Sequence, residues 1–162
     1  MEGSKSPRNL ALTILLGTAV AGTLDMTEAC VYWGVTRGVA SERIFHTVAS
    51  GLLGQAAFAG GAATAVLGLV AHFAIMAVMV ACYGLASLRL PVLTRRPVAL
   101  GLAYGLATYG VMNYVVLPLS QARHGGPFVL STFVNNLGAH LLMVGVPIAL
   151  IVASREKMTR SA

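Results

Sequence analysis

Four apolar stretches, each long enough to cross a bilayer, constrain this chain more than any other feature. A helix that spans the hydrocarbon core needs about 20 mostly apolar residues. Residues 10–33, 61–87, 98–118 and 129–153 all meet that requirement. Lipid offers no hydrogen-bond partners, so a spanning segment must satisfy its own backbone, which a helix does. The intervening stretches carry charged, proline or glycine residues: Arg37 to Arg43, Arg89 to Pro97, and Gln121 to Pro127. Short connections favour antiparallel neighbours. The expected fold is therefore all-α, an integral-membrane up-down four-helix bundle that uses residues 1–162 as one domain. Only 10% of the residues are charged, against about 25% in soluble domains.

The basic residues set the expected orientation, because Lys and Arg accumulate on the cytoplasmic side. With a cytoplasmic N-terminus, Lys5, Arg8, Arg89, Arg95, Arg96, Arg155, Lys157 and Arg160 lie inside, and Arg37, Arg43 and Arg123 outside. Both termini are thus expected in the cytoplasm, in a bacterial inner membrane. The net charge of +6 reads as this bias plus attraction to anionic lipid, not as nucleic-acid binding. No cleavable signal peptide is expected, since no small-residue cleavage site precedes a soluble segment. Cys30 and Cys82 fall near opposite ends of their helices, so no intramolecular disulfide is expected.

Residues 41–56 form a separate element. Ser41 can cap a helix, and Ile44, Val48 and Leu52 recur at every fourth position. The pattern predicts a short amphipathic helix at the outer interface, a re-entrant piece, or a loop helix covering the bundle. Small residues mark packing faces: Gly101-x-x-x-Gly105 on the third span, and Ala57, Gly61 and Ala65 leading into the second. The Gly101–Gly105 motif serves internal packing or dimerisation. Tyr32 and Trp33 suit the outer interfacial belt and Tyr83 the inner one.

Of the five acidic residues, Glu2, Asp25, Glu28, Glu42 and Glu156, two fall inside the first span. A charge at mid-bilayer costs roughly 2.5–3.5 kcal/mol on insertion scales, so an intramembrane carboxylate marks a functional site by default. Asp25, Glu28 and Tyr32 share a helix face, with Thr18 extending it. His72, Met76, Met79 and Tyr83 make a similar stripe on the second span, and Asn136, His140 and Met143 on the fourth. The two halves also echo each other. Gly17, Gly22 and Asp25 match the spacing of Gly105, Gly110 and Asn113, and Ala71-His72 matches Ala139-His140. That relation places Asp25 and Asn113 at about 24 Å from the cytoplasmic start of their spans, at 1.5 Å per residue. His72 and His140 come about 17 Å from the outer start on the same rise. Asp25, Glu28, His72, Asn113 and His140 are then expected to converge in the outer half of the membrane.

Four readings of that cluster stay open. It could be a hydrogen-bonded network that only fixes helix register. It could be a metal site, with Asp25, Glu28, His72 and His140 as ligands to Fe, Mn or Zn and Asn113 beside them. The Glu-x-x-His spacing of di-iron bundles is absent. His72 and His140 could ligate haem b. The carboxylates and imidazoles could handle protons or ions, as acidic and histidine chains do in transporters. The rival class is a non-catalytic accessory or interaction subunit of a larger membrane complex, or a homo-oligomer, with a structural polar cluster. Enzyme chemistry is disfavoured: no Ser/His/Asp order, no phosphate-binding glycine loop and no paired-cysteine site is present.

Gly60-Gly61-Ala62-Ala63 leading to Ala71-His72-Phe73, then Asn113-Tyr-Val-Val-Leu-Pro118 and Gly138-Ala-His140-Leu, resemble the YagU-like family of small bacterial inner-membrane proteins. The similarity covers spans two to four best. In span one it is limited to an acidic residue in an apolar helix. The resemblance implies an inner-membrane protein associated with acid resistance, with no established catalytic residues. Family members often place a His near the position of Asn113, and this chain does not.

Overall fold

The computed structural model describes residues 7–123 and 126–160. Its elements are helical throughout, with no strand among the described residues. Four helices are long and apolar enough to cross a membrane: Leu10–Arg37, Gly61–Arg89, Pro97–Leu119 and Leu130–Arg155. The first belongs to a helix that begins at Pro7, and the fourth continues to Arg160. The expected spans are therefore present, each a few residues longer than its apolar run. Large apolar side chains stand exposed along all four, among them Leu15, Val66, Val78, Leu106, Val134 and Leu142. So much outward apolar surface fits a lipid surround and not water.

Glycines set how the spans meet. In the first pair, Gly17 lies against Val80 and Gly22 against Phe73 and Met76. The contacts run in opposite directions along the two helices, so the pair is antiparallel. The third and fourth spans approach still more closely. Gly101 lies against the main chain of Gly145 and Val146, and Gly105 against the main chain of His140 and Leu141. A side chain at any of these positions would hold the backbones apart. The Gly101–Gly105 motif is therefore spent on internal packing.

The fourth span also packs along the first and touches the second, which makes it the most buried of the four. Its residues Val144, Ile148, Ala149 and Val152 form the core with Ala21, Met76, Val80 and Tyr83. The second and third spans are joined by side chains: the Tyr104 hydroxyl donates to the Met79 carbonyl at 2.7 Å, and the Tyr83 and Tyr104 rings meet edge-on. Tyr83 is thus not the interfacial-belt residue its position suggested. It is 2% exposed and donates to the Leu93 carbonyl at 3.0 Å, tying the second span to the short helix Val92–Arg95. The apolar core outcompetes the interface for this ring because its one hydroxyl finds a partner there.

The element after the first span is a helix, Ser41–Leu53, continued by the 3-10 turn Gly54–Ala59. Ala40 occupies the cap position and no side chain caps the helix, so Ser41 is its first residue and not its cap. The helix packs along the start of the second span, where Gly68 lets the Phe45 main chain approach. The loop after the third span fastens it from the other side. The Gln121 backbone N–H donates to the Gly51 carbonyl at 2.9 Å, and the Gln121 side chain to the Leu52 carbonyl at 2.7 Å. This cover helix thus packs against the bundle at the end where the second span begins. Gly38, Gly54 and Gly61 adopt positive φ around it, a conformation that glycine takes without strain.

Arg89, Arg95 and Arg96 lie at the opposite end from this cover, the end shared by the start of the first helix and the close of the fourth. Lys5, Glu2 and His124 lie outside the described residues. Cys30 and Cys82 are free thiols.

The glycine contacts are testable. A Cβ added at Gly145 would come within 2.6 Å of the Gly105 nitrogen, so Gly145→Ala should destabilise the protein by about 1–3 kcal/mol. Gly110→Ala meets nothing within 4 Å and should leave the thermal midpoint in detergent unchanged or slightly raised. Equal midpoints for the two variants would contradict the packing of spans three and four.

Candidate functional site

Most of the residues expected to converge do come together. Asp25 from the first span, His72 from the second, Asn113 from the third, and Asn136 and His140 from the fourth all line one cavity of about 270 Å³. The rest of its wall is apolar, with Ile75, Met76 and Met79 on one side, and Met112, Leu117 and Val144 on the other. Val48 of the cover helix also lines it. The cavity occupies the gap left where the second and third spans stay apart.

Each imidazole is held by a main-chain carbonyl. His72 Nε2 lies 3.0 Å from the Gly22 carbonyl on the first span. His140 Nδ1 lies 2.9 Å from the Asn136 carbonyl, one turn back on its own helix. A carbonyl oxygen can only accept, so these two nitrogens carry a hydrogen, the single one in the neutral form of each ring. The lone pairs then sit on His72 Nδ1 and His140 Nε2. Ring contacts add orientation: His72 stands edge-on to Phe73 and His140 edge-on to Tyr109. Asp25 is within electrostatic reach of both histidines.

The asparagines make a second layer. Asn113 donates to the Tyr109 carbonyl at 2.9 Å and accepts from the Asn136 side chain at 3.4 Å. Glu28 does not line the cavity. It hydrogen-bonds the side chain of Asn135 and lies within electrostatic reach of Asp25 and His140. Of the residues expected to converge, Asp25, His72, Asn113 and His140 share the cavity, and Glu28 stands behind it. Thr18, expected on the same face, has its hydroxyl oxygen buried with no hydrogen-bond partner among the described residues.

Two features of the site were not anticipated. Both helices that meet across the glycine contact widen into a π-helical turn at the cavity, Met112–Val116 in the third span and His140–Gly145 in the fourth. Such turns recur at functional sites. Each is followed within two residues by a proline, Pro118 or Pro147. Proline cannot donate a backbone hydrogen bond, and its ring crowds the carbonyl four residues back, so the preceding turn adjusts. The two prolines inside apolar spans were the readable signal. Asn135, the partner of Glu28, carried none.

The repeat seen in the sequence does not carry over to the packing. Gly17 and Gly105 hold matching places in it, yet Gly17 faces Val80 while Gly105 faces His140 and Leu141. The repeat counterparts of those two, His72 and Phe73, lie beside Gly22. The helix pairs are slid by roughly two turns relative to each other.

No group of three or more His, Cys, Asp or Glu among the described residues is gathered closely enough to hold a metal ion. Zinc added to the purified protein should therefore bind no more tightly to the wild type than to His72→Gln. Stoichiometric zinc that depends on His72, measured by elemental analysis after desalting, would contradict this geometry.

In comparison with known proteins, no family model, no curated protein and no solved structure matches this chain.

Proposed function

We propose that this multi-pass membrane protein handles protons, with Asp25, His72 and His140 as the groups that take them up and pass them on. The observation that carries this reading is that each carbonyl bond uses one ring nitrogen and leaves the other over for proton exchange, in two residues that share a cavity with a carboxyl group. A proton leaving the Asp25 carboxylic acid can move to either imidazole, giving carboxylate and imidazolium, an arrangement that the nearby opposite charges favour. The carbonyls hold the rings without competing for that proton. The resemblance to the YagU-like family, associated with acid resistance, points the same way. Metal binding ranks behind proton handling because the third hard donor is not in place.

We further propose the bacterial inner membrane as the location, with the termini and Arg89, Arg95 and Arg96 on the cytoplasmic face. The support is the accumulation of basic residues at that end. The cover helix and Arg43 then face the periplasm.

Two experiments test these readings. In proteoliposomes with an entrapped pH dye, the wild type should dissipate an imposed pH gradient faster than protein-free lipid, and Asp25→Asn should return the rate to that baseline. A wild type at the lipid baseline, combined with loss of oligomer or fold in Asp25→Asn, would favour the accessory-subunit reading instead. For orientation, single cysteines at Ala40 and Thr94 in a background lacking Cys30 and Cys82 should react from opposite sides, Ala40 from the periplasm. Reaction of both from one side would overturn the four-span topology.

A further inference from the structure

We infer that the cavity binds a small organic monocation, a protonated amine with an apolar body, against the Asp25 carboxyl group. This rests on the proposed role of Asp25 as the group that takes up positive charge, and it names a second occupant for the same place.

The first argument is charge. Asp25 is the lone carboxyl among the lining residues, and no Lys or Arg lines the cavity. Glu28 adds a second acidic group within electrostatic reach of Asp25. In their neutral form the imidazoles do not cancel that field. In a low-dielectric surround, such a site attracts a cation and repels an anion far more strongly than it would in water.

The second argument is hydrogen bonding. The hydrogens on His72 Nε2 and His140 Nδ1 are directed to carbonyls, Asn113 spends an amide hydrogen on the Tyr109 carbonyl, and Asn136 spends one on the Asn113 side-chain oxygen. What remains for a guest is weighted toward acceptors: the Asp25 oxygens, His72 Nδ1 and His140 Nε2. The complementary guest is a hydrogen-bond donor, which an ammonium group is.

The third argument is size and wall chemistry. A cavity of about 270 Å³ is roughly nine times the ~30 Å³ share of one water, so a proton or a bare ion would leave most of it unused. A hard inorganic cation would want six or more oxygen ligands, and the lining supplies one carboxylate and two side-chain amides, with Asn113 Oδ1 already accepting from Asn136. The remaining wall is apolar, as in ligand pockets where a few polar groups orient an apolar body. Met76, Met79 and Met112 supply three flexible thioether chains to it. Methionines of this kind accommodate guests of differing outline.

The test uses the full-length protein in detergent and tritiated phenethylammonium as the probe. The wild type should show saturable binding, barely displaced by equal concentrations of sodium or potassium. Asp25→Asn should weaken binding by about tenfold or more through loss of the charge pair. Val48→Trp fills the cavity from the cover helix while keeping the Asp25 carboxyl group and should also abolish saturable binding. This second variant decides the matter if Asp25→Asn does not fold. Wild-type affinity in either folded variant would overturn the inference, as would displacement by sodium at the probe's own concentration. A wild type that moves protons in liposomes but shows no saturable amine binding would overturn this inference and leave proton handling standing.

Discussion

The near-contact of two helix backbones governs this molecule. Gly101, Gly105 and Gly145 let the third and fourth spans approach until main chain meets main chain. Between lipid-embedded helices no hydrophobic effect drives association, so close packing and hydrogen bonds must supply it. Three glycines provide that closeness here. Because the fourth span is drawn against the third on one side and the first on the other, it becomes the buried helix of the bundle. The second span is left to pair with the first, and a gap opens between the second and third. The cavity is that gap, and His140 is at its edge because Gly105 lies on its main chain.

The polar groups follow a consistent rule within this frame. Most side chains that would be costly in lipid are bonded to a main-chain carbonyl or line the cavity, with Glu28, bonded to Asn135, and Thr18 as exceptions. His72 and His140 use carbonyls, as do Tyr83 and Tyr104. Asp25 lines the cavity beside the imidazoles. The prolines contribute at the same depth. By disturbing the helical ladder just before Pro118 and Pro147, they widen both helices where Met112, Asn113, His140 and Val144 line the wall. The helical regularity given up there is recovered by the tight packing below, where Ile148, Ala149 and Val152 are almost completely buried. The cover helix closes the other side and is itself fastened to the third-span loop through Gln121.

Much of this was legible in the residues because bilayer physics leaves few choices. Run length fixed the four spans, short connections fixed their antiparallel order, and the rarity of acidic residues singled out Asp25. The convergence of Asp25, His72, Asn113 and His140 was also readable, since lipid forces ionisable faces inward. What was not readable depends on which face meets which. Helical periodicity placed Tyr83 on a stripe but could not show that its hydroxyl would reach Leu93 instead of the headgroups. Glu28 sits one turn from Asp25 and shares its face, yet the rotation of the first helix leaves it behind the cavity with Asn135. The internal repeat predicted equal depths, but depth within a helix does not set the register between helices, and the two pairs slid apart.

The sequence by itself determined the class of the protein, the number of spans and the identity of the costly groups, because each of these follows from the free energy of placing a residue in hydrocarbon. Only the tertiary structure decided that the fourth span is central, that the second and third stand apart, and that two prolines and three glycines shape a cavity around Asp25. Those outcomes depend on shape complementarity between helix faces, which is a property of pairs of surfaces and is not written in the apolar periodicity of either one.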